Sequence, residues 1–384
     1  MPAATLKRGE CATAFGKMPA DSSGGAAYHQ TMKLNKFLSL RQAALALVAS
    51  AGLWSCAQAA EPAKVCVFDP IGTSGDVHRA LEDYRLQMAK AGYSLVVRTY
   101  VDENVAVEDF RTNQCDALMA TGIRTRHFVP VSAALDSPGA SSILRNGRID
   151  MDASFDVVRK FIGILSSPKA ASMVKVNQYE VAGIIPLGAA YAFVNDKQLK
   201  TLQAAAGKRV AALDHDRSQA ELIMRAGARP VAANITNFAT MFNNGSVDVI
   251  IAPAIIYRPF ELQKGIGTKG GVARFPITIL SYQMIIRSSA FPEGFGQVSR
   301  SHFAKNVEEA IRIARKADLD IPPKLWLDPT QEENDQYMVL MRQGRVLMAN
   351  KGLFDKTGLK ILKRIRCSVE PASAECSERT EEWK

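Results

Sequence analysis

From Lys64 the chain alternates short apolar runs with stretches whose apolar residues recur at helical spacing. The run "KVCVF" (64–68) reads as a buried strand. It is followed by a helical pattern over 74–93, "SGDVHRALEDYRLQMAKAGY", with a stop at Gly92. "SLVVRTYV" (94–101) is a second strand, "VAVEDFRTNQ" (105–114) a short helix and "CDALMAT" (115–121) a third strand. The order β-α-β-α-β predicts a parallel sheet. The same order returns from Lys208: "KRVAAL" (208–213), a helix over 218–228, "RPVAA" (229–233), a helix over 236–248, and the buried strand "VIIAPAII" (249–256).

Two long extended segments separate and follow the second unit: Tyr179 to Asp196, and Phe275 to Ser289. Both fit strands that cross between two halves. Helical patterns close the chain over 299–317, 330–352 and 357–367, and another covers Phe155 to Ile164. The pattern predicts an α/β protein of two lobes, each a βαβαβ unit, with two crossover strands and C-terminal helices. Lobe I takes residues 60–185 and 280–384, and lobe II takes 186–279.

Residues 1–59 stand outside this pattern. From Met32, the cations Lys33, Lys36 and Arg41 precede a short apolar stretch, Ala43 to Trp54, and then Ala57-Gln58-Ala59. That is the layout of a cleavable secretory signal, and the apolar stretch is too short to span a bilayer. Met32 is therefore the expected start of translation, and the periplasm the expected destination. A weak lipobox-like string ends at Cys56, beside the bulky Trp54.

The net charge of +10 overstates the mature part. Residues 1–60 hold six Lys/Arg and two Asp/Glu, which leaves +6 after cleavage, spread without a basic run. A nucleic-acid footprint needs clustered cations, so none is expected. Four cysteines follow the signal, and an even number in an exported chain predicts disulfides. Four cysteines allow three pairings. Cys367 and Cys376 are close in a polar tail and suit a local bridge, which leaves Cys66 with Cys115. Zinc is the rival reading, but no CxxC or histidine cluster accompanies them.

Catalytic patterns are sparse. The chain has neither G-x-S-x-G nor G-x-x-x-x-G-K-[ST]. The loop "DPIGTSGD" (69–76) ends a strand and opens a helix, as anion cradles do, but carries no lysine. Asp214-His215-Asp216 could hold a general base, although a solvated loop is the better reading of three adjacent residues. No enzyme, cofactor or metal is expected.

Binding fits better. Ligands of open α/β sheets sit beyond the C-terminal ends of strands. Five loops there carry Asp69, Thr73 and Ser74; Thr121 and Arg124; Asp214 and His215; Asn234 and Asn237; and Tyr257. Such hydroxyls, amides and scattered charges suit a small polar molecule. Ser74, Asp76, Thr236 and Asn237 could equally cap the helices that follow them.

The stretch "GKRVAAL…AGARPVAANITNFATMFNNGSVDVIIAP" resembles the solute-binding subunits of TRAP transporters of the DctP type. The matches are Gly207, Lys208, Arg209 and Val210, then Gly227, Ala228, Pro230 and Val231, then Phe242, Gly245, Val247 and Asp248. The resemblance implies a type II periplasmic binding fold, an organic-acid ligand, inner-membrane transporter subunits as partners, and a monomer. It also implies that Arg209 pairs with the ligand carboxylate. The chain further resembles a group of exported solute-binding proteins labelled as efflux pumps of aminoglycoside resistance. That resemblance raises the alternative of a periplasmic binder of cationic drugs. One cleavable signal without a membrane span does not make a pump.

Overall fold

A computed structural model describes residues 61–201 and 203–383. The predicted signal peptide, Met32 and Cys56 lie outside the described residues.

The first half begins with β1 (Ala63–Phe68), α1 (Asp76–Lys90), β2 (Leu95–Tyr100), α2 (Glu103–Arg111) and β3 (Ala117–Thr121). β1 pairs in parallel with β2 on one side and β3 on the other. Two short helices, α3 (Gly122–Thr125) and α4 (Pro130–Ala133), precede a small hairpin of β4 (Leu144–Arg145) and β5 (Arg148–Ile149). α5 (Met151–Ser166) and β6 (Lys175–Val176) then lead into the long strand β7 (Tyr179–Val194).

The second half repeats the pattern with β8 (Arg209–Leu213), α6 (Arg217–Arg225), β9 (Arg229–Ala233), α7 (Phe238–Asn243) and β10 (Val249–Pro253). β8 lies in parallel between β9 and β10. α8 (Gln263–Ile266), β11 (Gly271–Ala273) and the second long strand β12 (Thr278–Arg287) follow. The chain closes with α9 (Phe295–Lys305), α10 (Val307–Leu319), β13 (Trp326–Leu327), α11 (Gln331–Asn350) and α12 (Lys356–Val369).

One sheet runs through the molecule in the order β2-β1-β3-β12-β7-β10-β8-β9. The two crossover strands sit side by side at its centre and run antiparallel to each other. Their register slips where Leu280 faces Gly188 while Ser281 faces Pro186, so Leu187 has no partner. A proline breaks a regular ladder and is tolerated at such a bulge. The bulge turns Leu187 toward the cavity described below.

The patterned apolar residues form the core. Phe110, Phe155, Phe161 and Leu362 pack under the first half, and Phe193, Phe242 and Ile250 under the second. Helix starts follow the sequence: Asp102, Asp150, Asp216 and Asp355 each accept a backbone N–H at the start of α2, α5, α6 and α12, and Thr330 with Glu333 forms a capping box on α11.

Two expectations change. The single helix predicted over 299–317 is two, broken at Asn306, whose side chain donates to the His302 carbonyl (2.8 Å) and competes with the helix ladder there. The C-terminal region is not confined to the first half. β13 pairs with β11, and on α11 Tyr337 donates to the Lys200 carbonyl (2.6 Å) while Gln343 accepts from Arg225 (3.1 Å). Both disulfides, Cys66–Cys115 and Cys367–Cys376, are present.

Candidate ligand-binding site

The C-terminal ends of β3 and β8 and the middle of β7 and β12 meet around one cavity of about 300 Å³. Phe68, Thr121, Ile123 and Tyr282 line it from the first half, and Leu213, Asp216, Ser218 and Phe238 from the second.

Its floor in the first half is a buried polar chain. The Asp136 carboxylate accepts from the Ser281 backbone N–H (2.7 Å) and hydroxyl (2.6 Å). Gln283 donates to the Ser281 oxygen (3.1 Å) and accepts from Ser132 (2.6 Å) and Thr125 (3.0 Å). Gly122 allows this: a Cβ there would lie 2.1 Å from an Asp136 oxygen. Burial pushes the Asp136 carboxyl up to about 7, against the opposing pull of its Ser281 bonds. The folded protein therefore keeps this proton to about pH 7, whereas an unfolded aspartate loses it near 3.9. The native state binds more protons between those values, so this group's contribution to stability falls as pH rises from about 4 to 7. Urea midpoints should show the stability of wild type relative to Asp136→Asn declining across that window. A constant difference would contradict this protonation.

The boundary between the halves carries the cations. Arg126 approaches Ser218 (3.3 Å) and Asp216 (3.7 Å) on α6, and its guanidinium lies 4.7 Å from the Phe354 ring centroid. Arg124 is 9% exposed, and its nearest charged partner, Glu103, is 3.9 Å away. It makes no hydrogen bond to a described residue, and its buried Nε is unpartnered. Glu103 is itself occupied, accepting from the Thr121 backbone N–H (2.7 Å). Across the boundary, His215 contacts Asp214 through Nδ1 (3.3 Å) and leaves Nε2 buried and unpartnered. Burial, helped by the Arg124 charge, pushes this imidazole down to about 4. His215 is neutral at ordinary pH, so the positive charge here belongs to Arg124.

Of the predicted loop residues, only Thr121 lines the cavity. Arg124 stands behind that lining, next to the lining residues Ile123 and Glu103, and groups there with Asp214 and His215. The others are engaged elsewhere. Arg209 begins β8, at the opposite end from the ligand-side loop. Its guanidinium is half-exposed and bonds Asp248 (2.7 and 3.1 Å) and the Gly245 carbonyl (3.0 Å). The Lys-Arg start of the strand thus serves the fold, and the structure does not bring Arg209 to the cavity. Asp69 is 1% exposed and accepts from the backbone N–H groups of Ile71 (2.9 Å) and His78 (3.0 Å). A Cβ on Gly75 would lie 2.0 Å from that carboxylate, which explains the second glycine of "GTSG". Thr73 and Ser74 are exposed and absent from the lining, and neither Ser74 nor Asp76 caps α1. Asn234 and Asn237 close their own turn: Asn234 accepts from Asn237 N–H (3.0 Å) and Asn237 from Asn234 N–H (2.8 Å). Tyr257 is buried with its ring against Phe193.

Sequence reading passed over Glu103, Arg126 and Asp136. The last had a signal: a lone acid among small and apolar residues in "PVSAALDSPGASS". It also passed over "GIGTKG" (265–270), which has the glycine spacing of a dinucleotide loop. That run begins in the last two residues of α8 and precedes β11, the reverse of the strand-to-helix context such a loop requires. Among the described residues no cluster of three His, Cys, Asp or Glu side chains could hold a metal, and no helix is long and apolar enough to cross a membrane.

Two βαβαβ halves sharing a pair of central crossover strands, with a cavity where they meet, define the two-lobed α/β fold of TRAP-type periplasmic solute-binding proteins. The chain matches the model of the family "Solute-binding protein AdeT 1/2" over residues 89–381, and it belongs to that family. The probable solute-binding protein AdeT1 of Acinetobacter baumannii is 39% identical over 311 residues, 81% of this chain and 99% of the relative. Among solved structures, a TRAP periplasmic solute-binding protein from Desulfovibrio salexigens with bound orotic acid has a TM-score of 0.64 at 13% identity, over 80% of this chain and 99% of that one. Another, from Shewanella oneidensis with bound succinate, has a TM-score of 0.60 at 12% identity, over 79% and 99%. At such identities the likeness is one of fold.

Proposed function

We propose that the chain is an exported, monomeric solute-binding protein of the periplasm. It captures a small organic acid between its halves and passes it to inner-membrane transporter subunits. The observation that carries this reading is Arg124, a buried guanidinium without a hydrogen-bonding partner among the described residues, next to the lining residues Ile123 and Glu103. A buried guanidinium with unmet donors is costly, its contact with Glu103 being long at 3.9 Å, and a ligand carboxylate would meet its planar fork with two charge-assisted bonds. β7 and β12 are the natural hinge, being the strands that join the halves. The organic acids held by the two structural neighbours support the same ligand class.

The cationic-drug reading has less support. The acids lining the cavity are already engaged: Glu103 by Thr121, Asp136 by Ser281, and Asp216 by the start of α6.

Calorimetry with aromatic, branched aliphatic, dicarboxylic and sugar acids tests the proposal. Arg124→Ala should weaken whichever acid binds by about 10- to 100-fold, the equivalent of one charge-assisted contact. Equal affinity in wild type and variant would overturn the assignment. Binding of an aminoglycoside that depends on Asp136 and not on Arg124 would favour the cationic reading.

A further inference from the structure

The cavity has two unlike parts. Its charged edge lies at the boundary, lined by Glu103, Arg126 and Asp216, with Arg124 behind Glu103 (3.9 Å) and without a hydrogen-bonding partner among the described residues. From there it runs along the sheet of the second half, between Val210, Val249 and Ile251 on β8 and β10 and Leu222 on α6, to Leu340 and Met341 on α11. Small side chains keep this part open: Ala192 on β7, Ala211 on β8 and Ala226 after α6. Aromatic rings line the cavity from both halves. Phe68 and Tyr282 lie near-parallel in the first half, with centroids 6.1 Å apart, and Phe238 meets Phe260 edge-on in the second.

Polar groups beyond the edge are few, and three of them are bonded within the protein. Gln219 accepts from the Leu213 backbone N–H (2.7 Å), Thr278 donates to the Ser137 carbonyl (3.2 Å), and Tyr337 donates to the Lys200 carbonyl (2.6 Å). A ligand hydroxyl placed against these three or along the apolar wall would give up its water for no new partner, at roughly 1–3 kcal/mol for each group left unsatisfied. A second carboxylate near the first would face Glu103 and Asp216. Lys200 and Arg225 belong to the far end beside α11, past the apolar stretch, and the exposed Arg225 is bonded to Gln343.

Resting on the carboxylate reading above, we infer that the ligand is a monocarboxylate with an apolar body, alkyl or aryl, and not a dicarboxylic or polyhydroxylated acid. The carboxylate lies against Arg124, the flat or branched body passes between the aromatic rings, and its end enters the apolar part under β8 and β10. Orientation comes from one polar contact and affinity from buried area, the usual division in a small-molecule pocket.

The test is calorimetry and thermal shift on the full purified protein with five probes: phenylacetate, hexanoate, succinate, glucuronate and the neutral phenylacetamide. Phenylacetate or hexanoate should bind at least tenfold more tightly than succinate and glucuronate, and phenylacetamide should bind at least tenfold more weakly than phenylacetate. Ala192→Phe, which fills the apolar part while leaving Arg124 in place, should weaken the apolar acids by tenfold or more. Should that variant fold poorly, the ranking of the five probes on wild type decides alone. Succinate or glucuronate binding as well as or better than the apolar acids overturns this inference and leaves the carboxylate reading standing. Phenylacetamide matching phenylacetate, or no acid binding at millimolar concentration, overturns the carboxylate reading and this inference with it.

Discussion

Replacing Glu381 by Ala should destabilise the protein by about 3–5 kcal/mol, the usual cost of breaking a buried ion pair from one side. Its carboxylate bonds Arg345 Nε (2.6 Å) and Arg366 Nη2 (2.6 Å), and all three residues are at most 2% exposed. Glu375 bonds Arg366 Nε (2.7 Å) and lies 3.9 Å from Arg345, so without Glu381 two buried guanidinium groups would share one carboxylate. The effect should reach the site. Arg345 also donates to the Pro138 carbonyl (2.8 Å) and Arg366 to the Ala140 carbonyl (2.6 Å), on the segment that carries Asp136. Burial raises the Glu381 carboxyl, but the charges of Arg345 and Arg366 outweigh it and hold the group at about 2. A depressed carboxyl adds stability above its unfolded value near 4.3, and that stability is lost as pH falls toward 2. Urea unfolding of wild type and variant at pH 7 and pH 3 measures both parts. The gap should be wide at pH 7 and narrower at pH 3, and a loss under 1 kcal/mol at pH 7 would show that the cluster does not hold the tail.

Removing the Cys66–Cys115 bridge should have a comparable effect. The bridge closes 49 residues, and loop entropy puts its contribution at roughly 4 kcal/mol, against roughly 2.5 kcal/mol for the 9 residues closed by Cys367–Cys376. It also joins β1 to the residues just before β3, the strand whose loop carries Arg124. Guanidinium unfolding of Cys66→Ala/Cys115→Ala and of Cys367→Ala/Cys376→Ala compares the two. The first pair should lose more stability, and an equal or reversed order would refute the loop-length account.

Much of the frame was legible because it is local. Each half's three strands and two helices stand in the periodicity, and their β-α-β order implies parallel neighbours. The small deviations also have local causes, such as Asn306 turning its side chain onto the helix carbonyl behind it. Loop chemistry was less legible. The loops after β1, β3 and β8 were correctly placed at strand ends, yet a polar residue in such a loop can face the ligand or secure the loop itself. Asp69, Asn234 and Asn237 do the second, because their short side chains reach backbone N–H groups within nine residues.

The two arginines mark the division. Arg209 looked right by type and by resemblance, but it begins its strand and meets Asp248, 39 residues away, through the pairing of β8 with β10. Arg124 looked like one charge among several and proves to be buried behind the lining residue Glu103 without a hydrogen-bonding partner among the described residues. The sequence by itself determined the strands and helices of each βαβαβ unit, the two crossover strands and their order, because alternation and helical spacing record which face of each segment is buried, and the even cysteine count pointed to the two disulfides. Only the tertiary structure decided which charges are hydrogen-bonded within the fold and which are not. Charge pairing depends on the register of β7, β8, β10 and β12 and on contacts across the sheet, and no local pattern encodes a partner brought in from another strand.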